Sequence, residues 1–218
     1  MMGDLHDMPS LSGYDRGKKC FQGRTYKADI DAGLDFNEKL WHYPRKRKRK
    51  LPQATALRGN HEQRIDRAIQ LSPELEGAIG YSDLQWERWY DNIVDYNGNT
   101  PGTIAIDGIW YAHYFVSGIM GRPIGGEHPG YSLVAKLHRS GTAAHSHVLD
   151  YCIRTNVDGS KSMGLVAGCF FDFPLDYAGE TNKLFWPGLI IKRNVDNGVY
   201  DLECVSMNRL KKAYGHLS

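Results

Sequence analysis

The sequence lacks a long apolar run and has few cysteines. No apolar stretch approaches the ~18 residues that a membrane-spanning helix needs. The first ten residues, MMGDLHDMPS, carry acidic groups where a signal peptide has a basic region and an apolar stretch. The four cysteines, Cys20, Cys152, Cys169 and Cys204, lie far apart without CxxC spacing, which argues against a cysteine zinc site or a disulfide framework. These absences predict a cytoplasmic protein without a membrane partner.

A strong excess of charge is also missing, and the small excess that exists is local. The chain has 27 basic and 25 acidic residues, a formal charge of +2. Six of the positive charges lie in one run, RKRKRK at Arg45 to Lys50, without which 21 basic residues would face 25 acidic ones. Such a run, with Trp41 and Tyr43 nearby for base stacking, can contact phosphate backbones or serve as a nuclear signal. It is also typical of a solvated loop between a helix and a strand, and the alternatives stay open.

The composition suits one soluble domain spanning residues 1–218, since 41% of the residues are apolar and 24% are charged. Apolar spacing in the first half predicts helices with short strands between them. We expect residues 26–43 and 61–71 to be helical and residues 53–58 to form a short strand. Ser72 is a possible N-cap for a further helix over residues 72–94.

The second half favours antiparallel sheet. Three pairs of β-rich segments are separated by the dipeptides that tight two-residue turns prefer, Asp107-Gly108, Asp158-Gly159 and Asn197-Gly198. They predict hairpins over residues 103–115, 147–171 and 189–207, with short helices over residues 131–140 and 208–215. The fold class expected from this pattern is α+β, with helices covering packed sheets.

Metal-capable side chains occur in four separate segments, at or next to predicted strand ends. A lone histidine on a strand is more often a hydrogen-bonded structural residue than a ligand, so the combination matters more than any single segment. His145 and His147, in the segment HSH, either share one face of a strand or flank a tight turn. In both arrangements the two side chains can point to the same site. The groups are Asp4 and Asp7 in GDLHD, Asn60 and His61 in GNHE, His113 in YAHYF, and His145 and His147 in AAHSHV.

The order of these motifs resembles that of the calcineurin-like metallophosphoesterases: GDxxD, then GNHE, then an isolated strand-end histidine, then HxH. The similarity is closer still to a phage and bacterial branch of that superfamily. In that branch the first motif continues into a segment like DMPSLSGYDRGKK, and the second continues as GNHEQRIDRA. The resemblance covers nearly the whole chain, and it implies an α/β sandwich of four αββα layers with two mixed sheets.

The resemblance also implies a site with two divalent metal ions, for which Mn, Fe, Zn, Ni and Mg are all suitable. Asp4 would bridge the two ions through its carboxylate. Asn60, His113 and His145 would complete the ligands of the second metal. His147 would join Asp4 at the first metal.

The implied activity is hydrolysis of a phosphomonoester or phosphodiester by a metal-held hydroxide, with Asp4 and His61 as the catalytic residues. His61 would donate a proton or hydrogen bond to the leaving oxygen and would bind no metal. Gly59 would free the backbone to aim Asn60 and His61. The substrate implied is a phosphoester, with a nucleotide or nucleic acid among the candidates. If GNHE instead begins a helix, Asn60 merely caps it.

The chain departs from the family pattern at its start. By comparison with the family pattern, we expect the opening Asp-x-His motif and its βα unit to be absent, which would leave the ligand set of the first metal short. A second register reads Asp4-Leu5-His6 as that opening motif, but then no GDxxD follows before Gly59. Under the favoured register, His6 is a neighbour of the metals and a possible stand-in ligand. An alternative function is therefore a catalytically impaired fragment that binds metal or nucleic acid.

Overall fold

Four α-helices and eleven short strands alternate along residues 1–47 and 50–215, the part of the chain that the computed structural model describes. The chain divides into two compact units, Met1–Gly102 and a second that begins at Thr103. Helices and short strands make up the first unit, and most of the strands belong to the second. The protein is thus α+β, as the sequence predicts. No helix in the described ranges is long and apolar enough to cross a membrane.

The first unit opens with a long helix, α1 (Tyr26–Lys46), where the apolar spacing predicts one. The helix begins because the Thr25 side chain accepts a hydrogen bond from the backbone N–H of Ala28 at 3.2 Å. Its apolar stripe buries Ile30 and Trp41 in the core of the unit. The predicted helix is confirmed.

The basic run begins inside this helix and not in a loop. Arg45 and Lys46 form the last turn of α1, and Arg47 is its C-cap. Positive charge in a last helical turn is stabilised by the partial negative charge of the helix C-terminus. The loop prediction is therefore wrong for the first two residues of the run, while Lys48 and Arg49 lie outside the described residues.

Two short strands and a second helix follow. Strands β1 (Thr55–Leu57) and β2 (Asn92–Val94) pair in parallel, and helix α2 (Arg64–Leu71) lies between them in the chain. Met1 pairs alongside β1, because its amino group donates to the Thr55 carbonyl and its own carbonyl accepts from Leu57 N–H. The strand and the helix predicted around GNHE are confirmed.

The helix predicted over residues 72–94 is wrong. Residues 73–75, 81–84 and 86–88 form three separate 3-10 turns, followed by β2. Gly77 and Gln85 adopt left-handed backbone conformations, which stop an α-helix from propagating. Ser72 makes no capping bond through its side chain. The apolar side chains that suggest a helix instead anchor irregular turns, since Leu84 and Trp86 are fully buried.

The second unit contains the three predicted hairpins, all confirmed. The first joins β3 (Thr103–Ile106) to β4 (Ile109–Ala112), and its turn residues Asp107 and Gly108 have φ values of 50° and 79°. Both angles are positive, as a type I′ turn requires. The remaining elements are β5 (Val116–Ser117), β6 (Arg122–Pro123), α3 (Pro129–Leu137), β7 (Gly141–Ala143), β8 (Leu149–Thr155), β9 (Lys161–Ala167), β10 (Gly188–Asp196), β11 (Val199–Ser206) and α4 (Met207–Tyr214).

Five of these strands form one mixed sheet in the order β3-β4-β7-β9-β8. Strand β7 pairs in parallel with both neighbours, and the outer pairs are antiparallel. Helix α3 covers one face so closely that a Cβ on Gly164 would lie 2.0 Å from the carbonyl oxygen of Gly130. The β10–β11 hairpin packs on the other face, through Tyr200 against Ile109 and Met163. The second unit is therefore a helix, a sheet and a hairpin in three layers.

One ionisable side chain lies between the sheet and the hairpin. Lys192 of β10 donates hydrogen bonds through Nζ to Tyr111 Oη at 3.1 Å and to Thr142 Oγ1 at 2.5 Å. Its amine also lies 4.3 Å from the ring centre of Tyr111 and 4.6 Å from that of Tyr200. Burial lowers the pKa of Lys192 from 10.5 to about 7, because removal from water penalises the charged amine.

This lysine makes folding stability depend on pH. Between pH 7 and 9.5 the unfolded chain holds a proton on Lys192 that the folded chain releases, so the free energy of unfolding rises with pH. We expect Lys192→Met to remove a slope of ~1 kcal/mol per pH unit in urea unfolding over this range. Above pH 10 the free energy of unfolding instead falls as the pH rises. Burial raises the pKa of Tyr111 above its usual 10.0, so the unfolded chain releases this proton before the folded chain does. Lys161→Met, at the exposed start of β9, is the control, and an equal flattening in both variants would contradict the assignment.

Candidate functional site

The turn that follows β1 carries the GNHE residues, and it is not a helix cap. Helix α2 begins only at Arg64, with Gln63 as its N-cap residue, so Asn60 has no capping position. Gly59 serves close packing. A Cβ at this position would lie 2.0 Å from Asp4 Oδ1 and 2.4 Å from the Asp4 backbone nitrogen. The glycine therefore allows the Asp4 loop to lie directly against the turn.

A buried carboxylate, Glu62, joins the two loops. The side chain is fully buried and accepts three backbone N–H bonds, from Gly59 at 2.8 Å, from Asp4 at 3.0 Å and from His6 at 2.8 Å. Burial raises the pKa of Glu62, as does the nearby charge of Asp4, while the three N–H donors favour the charged form. Sequence reasoning assigned no role to this residue, although it is the acid of the GNHE motif.

Two carboxylates fix the position of His61. Its backbone N–H donates to Asp4 Oδ1 at 3.0 Å, and its Nδ1 lies 2.6 Å from Asp7 Oδ1. The other ring nitrogen, Nε2, is 4.0 Å from Asp4 Oδ2. Desolvation opposes ionisation of Asp7, but the His61 hydrogen bond and the charges of His61 and Arg64 outweigh it and lower the pKa of Asp7. Asp7 is thus a partner of His61, a role that GDxxD spacing alone did not predict.

His6 is a residue of the core. Its ring is 1% exposed, and Nδ1 accepts a hydrogen bond from Trp86 Nε1 at 3.4 Å. Nε2 faces helix α1, where a Cβ on Gly33 would lie 2.1 Å away. Burial, and then the charge of Arg58, lower the pKa of His6 to about 4, so the ring is neutral at pH 7. The expectation that His6 stands in as a metal ligand finds no support in this packing.

The second unit brings two of the predicted histidines together. His113 directly follows β4 and is 1% exposed, and its Nε2 lies 3.2 Å from Nδ1 of His145. Backbone pairing holds the two segments side by side, because the His113 carbonyl accepts from Ala144 N–H at 2.9 Å. Two imidazoles on one tetrahedral zinc ion, with Zn–N bonds of about 2.05 Å, place their nitrogens about 3.3 Å apart. The pair can share a proton or bind one cation.

His145 and His147 flank a tight turn, one of the two arrangements that HxH spacing allows. Both have left-handed backbones, with φ values of 63° and 62°, and Ser146 N–H donates to the Ala144 carbonyl at 2.7 Å. The His147 ring lies edge-on to Phe171 and Phe185, with centroids 5.1 and 4.8 Å away. Aromatic packing therefore fixes this ring.

The predicted site residues form two groups according to the unit in which they lie. Comparison with protein-family models, curated proteins and solved structures finds no match to this chain. The first group is Asp4, Asn60 and His61, and the second is His113, His145 and His147.

The close approach at Gly59 gives a test of the first group. Gly59→Ala places a methyl group against Asp4, and overpacking of this kind costs about 1 to 3 kcal/mol of unfolding free energy. The Asp4 loop should also loosen, with faster hydrogen exchange at the His61 amide that donates to Asp4. Gly13→Ala is the matched control, because a Cβ there would meet nothing within 4 Å. Equal loss of stability in both variants would show that the Asp4 contact is unimportant.

Proposed function

We propose that this chain is a metal-dependent phosphoesterase, hydrolysing a phosphomonoester or phosphodiester. The observation that carries the proposal is the His113–His145 pair, in which two imidazole nitrogens lie 3.2 Å apart and His113 is buried. The motif order GDxxD, GNHE, His and HxH supports it by resemblance to calcineurin-like metallophosphoesterases. The proposal includes that family's four-layer αββα architecture, to which the five-stranded mixed sheet of the second unit would contribute.

The donor chemistry fits a divalent metal. A carboxylate, an amide oxygen and two imidazoles form a mixed oxygen and nitrogen set, which Mn, Fe, Zn, Ni and Mg accept to different degrees. Asp4, Asn60, His113 and His145 would hold one ion, and His147 with Asp4 would contribute to a second. A bound metal supplies a Lewis acid for phosphoryl oxygens and lowers the pKa of a water molecule.

His61 is proposed as the proton donor to the leaving oxygen. Asp7 at Nδ1 fixes the ring orientation and directs the second nitrogen, Nε2, away from that carboxylate. The His61 backbone N–H donates to Asp4 Oδ1, which connects the His61 backbone to a proposed metal ligand. His61 and Asp4 would therefore move together, which keeps the proton donor at a fixed place relative to the phosphate.

A second reading is a catalytically impaired protein that binds metal without turnover. It is motivated by the ligand set of the first metal, for which only Asp4 and His147 are proposed. Metal content and hydrolysis measured on the same protein separate the two readings: stoichiometric metal without hydrolysis favours the impaired protein.

Metal analysis tests the ligand assignment. We expect protein purified without chelator to carry at least one divalent transition metal per chain, and His113→Ala/His145→Ala to lose the ion that these two histidines would hold. Asp4→Asn and Asn60→Ala should also lower metal content, because each removes or weakens one oxygen ligand.

His128→Ala is the control for the second unit, because His128 is exposed and forms no side-chain cap on α3. Retention of full metal content by the His113/His145 double variant would refute the assignment.

A leaving-group series tests the role of His61. His61→Ala should keep its metal but hydrolyse aryl phosphoesters ~10²- to 10⁴-fold more slowly, with a smaller loss for very acidic leaving groups that need no proton. Asp7→Asn should show the same leaving-group pattern with a smaller loss, because it disturbs only the ring orientation.

His42→Ala, an exposed histidine on α1, is the matched control. Rates for His61→Ala that equal the wild type with every leaving group would assign the residue a purely structural role.

A further inference from the structure

Lys192 is a nucleophilic side chain with no part in the proposed hydrolysis. It extends from β10 into the layer between the five-stranded sheet and the β10–β11 hairpin. Its amine is enclosed by Tyr111 of β4, Thr142 of β7 and Tyr200 of β11, all within the second unit. Because the lysine side chain is only partly buried, a small dissolved molecule can still reach the amine.

The amine has no acidic partner. Within residues 1–47 and 50–215, Nζ donates to two hydroxyl oxygens, Tyr111 Oη and Thr142 Oγ1, and no carboxylate forms an ion pair with it. Burial lowers the pKa of Lys192 to about 7, since no opposite charge offsets the loss of water. Much of the amine is therefore uncharged at pH 7.5, the form in which a lysine acts as a nucleophile.

One hydroxyl group beside the amine is buried without an acceptor. Tyr200 is 3% exposed, and its Oη lies close to Thr142 but forms no hydrogen bond of normal geometry with the described residues. Burial raises the pKa of Tyr111 and of Tyr200, so both phenols keep a proton to donate at neutral pH. A buried donor without an acceptor is costly, and an oxygen-rich group on Nζ would remove that cost.

The space beside Nζ favours a very small electrophile. Tyr111 Oη lies 3.1 Å from Nζ and Thr142 Oγ1 lies 2.5 Å from it. The ring centres of Tyr111 and Tyr200 are 4.3 and 4.6 Å from the same atom. A long acyl chain or a bulky aldehyde would have to displace these rings from a packed layer. Carbon dioxide is triatomic and uncharged, and its adduct with an amine, a carbamate, carries two oxygen acceptors.

We propose that Lys192 binds carbon dioxide reversibly as a carbamate on Nζ. The nitrogen lone pair forms a bond to the carbon of carbon dioxide, one C=O electron pair moves onto oxygen, and a proton leaves the nitrogen for water. The carbamate oxygens accept hydrogen bonds from the hydroxyls of Tyr111, Thr142 and Tyr200, and these charge-assisted bonds offset the cost of placing an anion in a partly buried layer. The reaction needs no metal, so it is independent of the phosphoesterase proposal.

The test is carbon-13 NMR of the whole chain in labelled bicarbonate at pH 7.5, with the adduct trapped as an ester by a trialkyloxonium reagent and located by peptide mass spectrometry. We expect a carbamate resonance that saturates with carbon dioxide, and an esterified carbamate on the peptide that contains Lys192. Lys192→Met should remove this ester and its resonance, whereas Lys161→Met, at the exposed start of β9, should keep both. The trapped peptide assigns the site in the wild-type chain, so the test does not depend on the folding of a variant.

A second pair of variants tests the hydroxyl cluster. Tyr200→Phe should weaken carbon dioxide binding about tenfold, because the carbamate loses a charge-assisted hydrogen bond. Tyr151→Phe is the matched control, since the Tyr151 phenol donates to Met163 Sδ at 3.5 Å. The proposal is overturned if saturating carbon dioxide leaves Lys192 unmodified, or modifies it no more than the exposed Lys161. It is also overturned if Tyr200→Phe and Tyr151→Phe have equal effects on carbon dioxide binding.

Discussion

The buried carboxylate of Glu62 is the constraint on which the first group of site residues depends. Three backbone N–H groups from two distant loops donate to this carboxylate. None of the three lies in a helix or strand that would provide another acceptor. Truncation of Glu62 would leave those donors buried and unpaired, a cost of ~1–3 kcal/mol for each group. The same loops carry Asp4, Asn60 and His61. The relative positions of these three residues therefore depend on the Glu62 side chain.

The second group depends on backbone conformation. His145 and His147 occupy left-handed positions on a turn, and the pairing of Ala144 with the His113 carbonyl brings the first of them to His113. Left-handed backbone costs about 1–2 kcal/mol for a non-glycine residue. Asp4 also has a positive φ, of 55°, so three of the residues proposed to bind metal carry this backbone strain, which is found at many functional sites.

Local chemistry made the hairpins predictable and left the middle of the first unit unpredictable. Asp107-Gly108 and Asn197-Gly198 favour their turns through their own backbone preferences, so no tertiary information was needed. Residues 72–94 have helical apolar spacing, but Leu84 and Trp86 are buried by irregular turns that only the surrounding core stabilises. In the site, motif order singled out His113 and His145, whose ring nitrogens lie 3.2 Å apart. Spacing could not reveal Glu62 or the Asp7–His61 bond, because both depend on loops 50 or more residues apart.

The central claim is that His113 and His145 bind a metal ion, and nitrogen NMR of the histidine rings tests it directly. Titration of metal-free protein with Zn²⁺ should shift the His113 Nε2 and His145 Nδ1 resonances together, saturating at one equivalent, while the His61 ring nitrogens keep a non-ligand shift. Binding of one zinc ion with both His113 and His145 resonances unchanged would contradict the claim.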